Sequence, residues 1–333
     1  MTRVGLVGLG YWGPNLARNF DHLAELAWLC DLDEEHRASY AARYPRATVT
    51  GDYAELLADP TLDAVVIATP VPTHAELTVR VLDAGKHCFV EKPLGQSVEE
   101  AERAVEASRR NDRILMVGHL LQYHPGVVKL KEIAESGELG DIHYIYGQRL
   151  NLGKLRADEN ALWSLGAHDV SVVLHLAGGE EPYEVQSRGE AYMRPPVEDV
   201  VFGFMRFHSG LAAHLHLSWL DPHKERKFTV VGSKKMAMFD DMASEQKITV
   251  YDKGFDDKTG SYGEYITRNG DVWSPRLPAA EPLRIECEHF LESVRTGTPP
   301  LSDGESGLRV VRVLEALQDE LNASRRTPAT ARA

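Results

Sequence analysis

The stretch RVGLVGLGYWG (Arg3–Gly13) opens the chain with an apolar run that ends in closely spaced glycines. The run is typical of a buried strand, and the segment PNLARNFDHL that follows has helical spacing. Gly8, Gly10 and Gly13 therefore form a GxGxxG turn between a strand and a helix. Gly8 allows the tight turn, Gly10 leaves room for a pyrophosphate, and Gly13 lets helix and strand pack closely. Free N–H groups at the start of the helix then favour an anion.

The same alternation continues through the first third of the chain. Apolar runs recur in ELAWLCDLD, DAVVIATP and HCFVEKP, with helical spacing near residues 52–59, 74–84 and 97–110. Repeated β-α units with near-continuous apolar strands predict an α/β fold with a parallel, doubly wound sheet. We predict a dinucleotide-binding Rossmann domain over residues 1–122.

An acidic residue, Asp31, ends the second apolar strand. A carboxylate at this position accepts hydrogen bonds from ribose hydroxyls and repels a 2′-phosphate. The neighbours Asp33, Glu34 and Glu35 add negative charge, and the first basic residue after them that could offset it is Arg37. The pattern favours NAD over NADP. The cofactor-binding residues expected in this part of the chain are Gly8, Gly10, Tyr11, Trp12, Gly13 and Asp31.

The pattern of apolar and polar residues changes from about Asp141. IHYIYGQRLN, DVVFGFMRFH and GLAAHLHLSWL alternate or are rich in aromatic and β-branched residues, which predicts an open, mostly antiparallel sheet. Helices are expected over Leu162–Leu176 and near Arg284–Val294 and Ser306–Leu321. We predict a second α/β domain over residues 123–324, for substrate binding and oligomerisation, whose last helix packs back on the first domain. Residues 325–333 form a tail with little to bury.

Composition narrows the classes of function. Lys plus Arg number 37 and Asp plus Glu number 50, and the formal net charge of −13 disfavours nucleic acid and anionic membranes as partners. Cys30, Cys88 and Cys287 are widely spaced with no CxxC pair, which indicates a reducing compartment and no zinc framework. The sequence shows no signal-peptide pattern and no run of roughly 18 apolar residues. We expect a cytoplasmic enzyme.

Two more motifs follow apolar strands, ATPVPTH (Ala68–His74) and VEKP (Val90–Pro93). Both lie at the edge where doubly wound sheets bind ligands. GLGYWG, ATPxxTH and EKP in this order, followed by a mixed domain with a helical His-Asp pair, resemble the Gfo/Idh/MocA oxidoreductases over nearly the whole chain. GHLLQYHPGV, RLNLGKLR and LWSLGAHD further resemble a branch associated with nucleotide sugars and with related antibiotic or polysaccharide pathways.

The resemblance implies oxidation or reduction of a secondary hydroxyl on a sugar, nucleotide sugar or cyclitol, with nicotinamide as the hydride carrier. It also implies a homodimer or homotetramer formed through the C-terminal sheet. In relatives the lysine of EKP lies in the active site and faces a histidine of the second-domain helix, which here are Lys92 and His168. The further residues implied at the cofactor are Thr69, Pro70, His74, Glu91 and Lys92 itself.

The chemistry gives both residues a role. A carbinol carbon loses hydride only as its hydroxyl proton is withdrawn, so the site needs a base and a hydrogen-bond donor. Lys92 can supply the donor, and His168, whose ordinary pKa is about 6.5, is the more natural proton acceptor. Many relatives carry an aspartate four residues before the histidine, where this chain has the uncharged Ser164. Ser164, Asp169 or another acid can be the partner of His168, or Lys92 can carry more of the proton transfer.

The expected substrate contacts follow from the resemblance and from positions near the end of a strand. Tyr123 is placed near cofactor or substrate by the resemblance, with a packing role as the alternative. Arg149, Asn151 and Arg156 leave a strand toward the same helix and can hold a phosphate or carboxylate, or lie on a solvated strand edge. The candidates are Tyr123, Arg149, Asn151, Arg156, Ser164 and Asp169. His214 and His216 share a strand face without a third ligand at useful spacing, so we expect no metal.

Three classes of function remain. The predicted one is an NAD-dependent dehydrogenase or ketoreductase that acts on a ring alcohol of a carbohydrate-like small molecule. The others are an NAD-retaining glycosidase that uses transient oxidation and a non-catalytic regulator that senses a dinucleotide. The presence of both Lys92 and His168 favours the first.

Overall fold

The computed structural model describes residues 1–153, 155, 159–256 and 266–326, and the chain divides into two compact units. Unit 1 comprises Met1–Tyr123 and Ala280–Arg312, and unit 2 comprises His124–Ala279 and the chain from Val313 onward. The prediction gave residues 123–324 to the second domain, with its last helix packing back on the first, and in the structure Tyr123 and Ala280–Arg312 group with unit 1.

Unit 1 contains a six-stranded parallel sheet. Its strands are β1 (Arg3–Val7), β2 (Glu25–Cys30), β3 (Thr48–Thr50), β4 (Ala64–Ile67), β5 (His87–Glu91) and β6 (Leu115–Gly118). They lie in the order β3-β2-β1-β4-β5-β6, which is the doubly wound order of dinucleotide-binding folds. Every residue of β4 and β6 is buried, as in sheets that helices cover on both faces. The predicted doubly wound class is confirmed.

The helices are α1 (Gly13–Leu23), α2 (Glu34–Arg43), α3 (Tyr53–Ala58), α4 (His74–Asp83), α5 (Val98–Asn111), α6 (Pro125–Glu135), α7 (Ala167–Leu176), α8 (Pro282–Thr296) and α9 (Gly304–Arg326). Helices α1 to α5 alternate with the strands of this sheet, α6 and α7 lie in unit 2, and α8 and α9 are the last described elements of the chain. Asp33, Asp52 and Ser97 accept backbone hydrogen bonds as N-caps of α2, α3 and α5. No side chain among the described residues caps α1. None of the described helices is long and apolar enough to span a bilayer.

The core of unit 1 explains why a segment from the end of the sequence belongs to it. Phe20 of α1, Phe89 of β5 and Phe290 of α8 are fully buried and meet edge to face, with ring centroids 5.7–6.3 Å apart. Leu283 and Cys287 lie on the same face of α8 and join this cluster. Burial of this apolar face removes it from water, which fixes α8 in unit 1.

Unit 2 contains an eight-stranded sheet. Its strands are β7 (Ile142–Leu152), β8 (Glu184–Glu190), β9 (Val200–Arg206), β10 (Ala212–Ser218), β11 (Leu220–Gly232), β12 (Met236–Asp240), β13 (Ile248–Asp256) and β14 (Ile266–Trp273). The order is β14-β13-β12-β11-β7-β10-β9-β8. β7 and β10 pair in parallel, and the other neighbours pair antiparallel. The predicted, mostly antiparallel second sheet is confirmed.

The helix expected over Leu162–Leu176 is in two parts. Leu162–Gly166 forms a π-helical turn, and α7 begins only at Ala167. A π turn is wider than an α turn, so residues four apart no longer lie one above the other.

Candidate functional site

The three glycines of the first loop differ in how much space surrounds them. Gly8 has φ +92°, and a Cβ there would lie 2.6 Å from the carbonyl of Ala68. A Cβ on Gly13 would lie 2.6 Å from the Gly8 carbonyl oxygen. At Gly10 the nearest described atom, Cε1 of His36, is 3.9 Å away, so the protein itself leaves this position open. With the uncapped N-terminus of α1, the loop fits the pyrophosphate of a dinucleotide.

Asp31 is held in place at the end of β2. Its Oδ2 accepts a hydrogen bond from the Leu9 amide at 2.6 Å, and its Oδ1 accepts one from the Asp33 amide at 2.8 Å. Arg37 donates to the backbone carbonyls of Asp31 and Leu32, which directs its charge away from the carboxylate. A carboxylate accepts up to about four hydrogen bonds, so Asp31 keeps acceptor capacity for ribose hydroxyls.

The other residues expected at the cofactor in this unit lie around the same sheet edge. The side chain of Tyr11 is 92% exposed, whereas Trp12 is half-buried and packs against the core cluster of unit 1. Thr69 follows β4, and its hydroxyl lies 2.7 Å from that of Thr73, which donates to the Pro70 carbonyl. Thr69 and Pro70 thus belong to a hydrogen-bonded turn at the carboxyl end of β4.

His74 ties two loops together. It is buried, with one ring nitrogen 2.8 Å from the Thr69 carbonyl oxygen and the other 2.8 Å from that of Pro93. Burial lowers the pKa of His74, and the two carbonyls oppose that effect. Both nitrogens are occupied by backbone, so the structure places His74 as a clamp between the loops after β4 and β5. One of these loops carries Lys92.

Lys92 directly follows β5 and is half-buried. Its backbone amide donates to Oε2 of Glu91 at 3.3 Å. Burial raises the pKa of Glu91 to about 7, and the charge of Lys92 opposes the shift. The carboxylate of Glu91 lies over Gly118 of β6, where a Cβ would be 3.0 Å from Oε2. Glu91 therefore titrates near neutrality beside the lysine.

A second buried acid lies close to Glu91. Glu286 of α8 is fully buried, and neither carboxyl oxygen has a hydrogen-bond partner among the described residues. Burial, and then the charge of Glu91, raise the pKa of Glu286 well above its ordinary value. Two carboxyl groups in a poorly solvated place cannot both ionise cheaply, so this pair holds at least one proton at neutral pH.

The buried acid makes stability depend on pH, and Glu286→Gln tests this. Above its ordinary pKa of 4.5 the unfolded chain releases the Glu286 proton and the folded chain keeps it. The free energy of unfolding of the wild type therefore falls by up to about 1.4 kcal/mol per pH unit. This loss continues from the pKa of Glu286 in the unfolded chain up to its higher pKa in the folded chain. Glutamine is uncharged at any pH, so the thermal midpoint of the variant should fall less between about pH 5 and about pH 8.

A matched control lies on the same helix. Glu288 is exposed and pairs with Arg284, so Glu288→Gln should follow the wild-type pH dependence. Equal losses of thermal midpoint in the wild type and in Glu286→Gln would contradict a protonated Glu286.

In unit 2, Arg149 and Asp169 form a buried ion pair. Nε of Arg149 donates to Oδ2 of Asp169, and both side chains are buried. Burial raises the pKa of Asp169, and Arg149 opposes the shift. One donor of Arg149 and one oxygen of Asp169 are therefore committed to each other. The expected substrate role of either residue stays a prediction.

His168 is the second residue of α7 and is half-buried. Its backbone carbonyl accepts a hydrogen bond from the Ser171 hydroxyl at 2.7 Å. Ser164 lies in the π turn, where its amide donates to the Asn160 carbonyl at 3.0 Å. The turn and the helix thus set the backbone of both residues.

A buried polar network holds the start of that turn. The Asn160 side chain donates to Glu198 at 2.7 Å and to Gln318 at 2.8 Å, and it accepts from the Trp163 amide at 3.1 Å. Arg325 donates to the other oxygen of Glu198. Glu198 and two residues of α9 therefore fix the chain at Asn160, just before the π turn and eight residues before His168.

The remaining substrate candidates separate in the structure. Tyr123 is buried, and its hydroxyl lies 3.1 Å from that of Ser302 and 3.2 Å from Nδ1 of His289. It is a packing residue of unit 1, so its placement does not support a substrate contact. Asn151 is half-buried near the end of β7, and Arg156 lies outside the described residues.

Glu286 lies in none of the quoted motifs, and His119 lies in GHLLQYHPGV without being named as a candidate. Both are buried ionisable groups near Lys92 or Glu91. His119 directly follows a buried strand, a position that signals a residue at the ligand-binding edge. Glu286 shares the apolar face of its helix with Leu283 and Phe290, which marks an acid that will be buried. In the part of the chain that the structure describes, no cluster of three or more His, Cys, Asp or Glu side chains is arranged for a metal.

Comparison with known proteins agrees with this geometry. Residues 2–119 match the family described as "Oxidoreductase family, NAD-binding Rossmann fold", and residues 127–238 match the "GFO/IDH/MocA C-terminal domain". UDP-N-acetylglucosamine 3-dehydrogenase of Acidithiobacillus ferrooxidans is 28% identical over 310 residues, which span 93% of this chain and 94% of that protein. Myo-inositol 2-dehydrogenase of Thermotoga maritima is 25% identical over 97% of each chain.

A solved structure, GenD2 from gentamicin A biosynthesis in complex with NAD, superimposes with a TM-score of 0.81 and 25% identity, over 97% of this chain and 95% of that one. The two family matches together span more than half of the 333 residues. The chain therefore belongs to the Gfo/Idh/MocA oxidoreductase family, as an oxidoreductase whose N-terminal part is an NAD-binding Rossmann fold.

Proposed function

We propose that this oxidoreductase interconverts a secondary ring alcohol and its ketone on a sugar, nucleotide sugar or cyclitol. The observation that carries the proposal is the position of Lys92. It directly follows β5, at the same edge of the sheet as the glycine loop and Asp31, on a loop that His74 clamps. The named activities of the two relatives, on UDP-N-acetylglucosamine and myo-inositol, support the substrate class.

The protein residues handle the proton in this proposal. NAD, when bound, supplies the acceptor for the hydride of the carbinol carbon. Lys92 donates a hydrogen bond to the substrate oxygen and stabilises the negative charge that develops there. His168 accepts the hydroxyl proton, because a neutral imidazole is a good acceptor near neutrality. Ser164 lies in the π turn and brings no charge, and Ser164, Asp169 or another acid remains the candidate partner of His168.

A screen for NADH formation tests the proposed reaction. The purified chain is mixed with NAD and, separately, with UDP- and dTDP-sugars, sugar phosphates, free sugars, aminosugars and inositols. We expect NADH with at least one ring alcohol. Release of sugar without net NADH would instead identify an NAD-retaining glycosidase, and binding of NAD without turnover of any compound would identify a dinucleotide-sensing regulator.

Asp31→Asn tests the cofactor site. Asparagine keeps the size of the side chain and removes the charge that accepts ribose hydrogen bonds and repels a 2′-phosphate. The dissociation constant of NAD should rise by roughly tenfold or more, and preference over NADP should weaken. Quenching of tryptophan fluorescence on titration measures the dissociation constants of NAD and NADP. Glu106→Gln removes an exposed charge on α5 and is the control that should leave both dissociation constants unchanged. An unaltered preference in Asp31→Asn would remove Asp31 from cofactor selection.

We further propose that the chain forms a homodimer or homotetramer through the exposed face of its second sheet. Phe202 is 52% exposed and Tyr144 is 40% exposed on that sheet. The His216 ring stacks on Phe202, and the His214 ring stacks on Tyr146. An aromatic surface of this kind favours a protein partner, and sedimentation velocity of the purified chain tests for self-association. The buried free thiols Cys30, Cys88 and Cys287 agree with a cytoplasmic location.

A further inference from the structure

His119 is a buried histidine whose ring has no hydrogen-bond partner among the residues that the structure describes. Its side chain is fully buried, and neither Nδ1 nor Nε2 meets a donor or acceptor among the described residues. Buried polar groups are nearly always hydrogen-bonded, and an orphaned imidazole has to be explained. Packing alone does not explain the residue, because an apolar ring would fill the same space without two unsatisfied nitrogens.

The backbone places His119 beside Lys92. β5 and β6 pair in parallel with Glu91 opposite Gly118, and the next residues along the two chains are Lys92 and His119. The His119 amide donates to the Val117 carbonyl at 2.7 Å, which turns the chain at this point. Burial, and then the charge of Lys92, lower the pKa of His119 to about 3. The imidazole is therefore neutral, with one nitrogen free to accept a hydrogen bond.

The other ionisable groups near Lys92 or Glu91 in unit 1 are poorer acceptors for a hydrogen bond from the ammonium group. The two ring nitrogens of His74 face backbone carbonyls. Glu91 accepts from the backbone amide of Lys92, and burial favours its protonated form, as it does for Glu286 behind it. His119 differs from these groups because its acceptor nitrogen remains available.

We infer that His119 is a positioning residue for Lys92, whose ammonium group donates a hydrogen bond to the neutral imidazole directly or through one water molecule. The inference rests on the proposed role of Lys92 in the reaction. The hydrogen bond stabilises the charged form of the lysine and restricts its side chain, so the donor is held ready for the substrate oxygen. His119 itself need not touch the substrate.

The test measures the titration of Lys92 without any turnover. Trinitrobenzenesulfonate reacts with the uncharged amine, so the extent of labelling of the Lys92 peptide, followed by mass spectrometry across pH, gives a labelling midpoint. His119→Phe keeps an aromatic ring and removes the acceptor, so the charged form of Lys92 loses the hydrogen bond that stabilises it. We expect the midpoint to move about one pH unit lower. His119→Gln, whose side-chain oxygen can still accept, should keep the midpoint close to that of the wild type.

Two outcomes overturn the inference. One is an unchanged midpoint in His119→Phe, and the other is the same change in His119→Gln, which would indicate disturbed packing. NAD affinity and thermal unfolding verify that each variant is folded, and His119→Leu replaces the phenylalanine variant if that protein does not fold. Because labelling needs no substrate, a negative NADH screen with a lowered midpoint would reject the proposed reaction and retain the contact. Turnover together with an unchanged labelling midpoint in His119→Phe would support the proposed reaction and reject the contact between His119 and Lys92.

A second measurement leaves His119 unaltered. In Lys92→Met the imidazole loses its donor, so the ¹⁵N shift of the accepting ring nitrogen should change relative to the wild type. The absence of any change would overturn the inference independently of the labelling.

Discussion

Lys92→Met should lower the turnover number by roughly a thousandfold or more, because in the proposed reaction this side chain supplies both a hydrogen bond to the substrate oxygen and the charge that stabilises it. Methionine has a similar length but no charge and no N–H donor. The dissociation constant of NAD should stay within about twofold of the wild type, since the glycine loop and Asp31 supply most contacts of the cofactor. Initial rates of NADH formation measure the turnover number, and quenching of tryptophan fluorescence measures the dissociation constant of NAD on the same preparations.

The control for charge removal is Lys129→Met. Lys129 is on α6 and forms an exposed pair with Glu132, and such pairs contribute little. This variant should keep the wild-type rate. A turnover number near wild type in Lys92→Met would take the lysine out of the mechanism and leave the proton to His168.

Arg149→Met destabilises unit 2 by about 3–5 kcal/mol, the usual loss when one partner of a buried ion pair is removed. Asp169 is fully buried, so without the guanidinium its carboxylate has to protonate or draw water into the core. Urea unfolding followed by tryptophan fluorescence measures the loss. The expectation distinguishes the ion pair from the substrate role suggested by the sequence, which would lower substrate affinity without a large change in unfolding free energy.

Two further variants separate the ion pair from simple loss of packing. Arg149→Met combined with Asp169→Leu removes both charges and should recover most of the lost stability, because apolar replacements of buried ion pairs are often neutral or stabilising. Arg188→Met removes an exposed arginine of the same sheet and should change stability by less than about 1 kcal/mol. If Arg149→Met were as stable as the wild type, the buried pair would have no stabilising role.

The doubly wound sheet and the cofactor loop are predictable because their determinants are local. Apolar runs, helical spacing and GxGxxG each lie within a short window of sequence. Asp31 and Lys92 follow strands directly, and parallel strands bring their carboxyl ends to one edge of a sheet. The structure places both residues at that edge of unit 1.

The interrupted helix before His168 is not predictable in the same way. Its residues have ordinary helical spacing, yet Leu162–Gly166 is a π turn. Asn160 is tied there to Glu198 and Gln318, which are 38 and 158 positions away in the sequence. Contacts at such separations have no local pattern, and they override helix propensity.

The sequence by itself determines the alternation of strands and helices, the glycine loop and the place of Lys92, because each depends on neighbouring residues in the chain. Only the tertiary structure decides which charges are paired and which ionisable groups are buried. The paired charges are Arg149 and Asp169, and the ionisable groups that lose solvent on folding include the neighbouring acids Glu91 and Glu286 and the histidine His119. The state of a buried group depends on the solvent and charges that it loses or gains on folding. Residues far apart in the sequence set that environment.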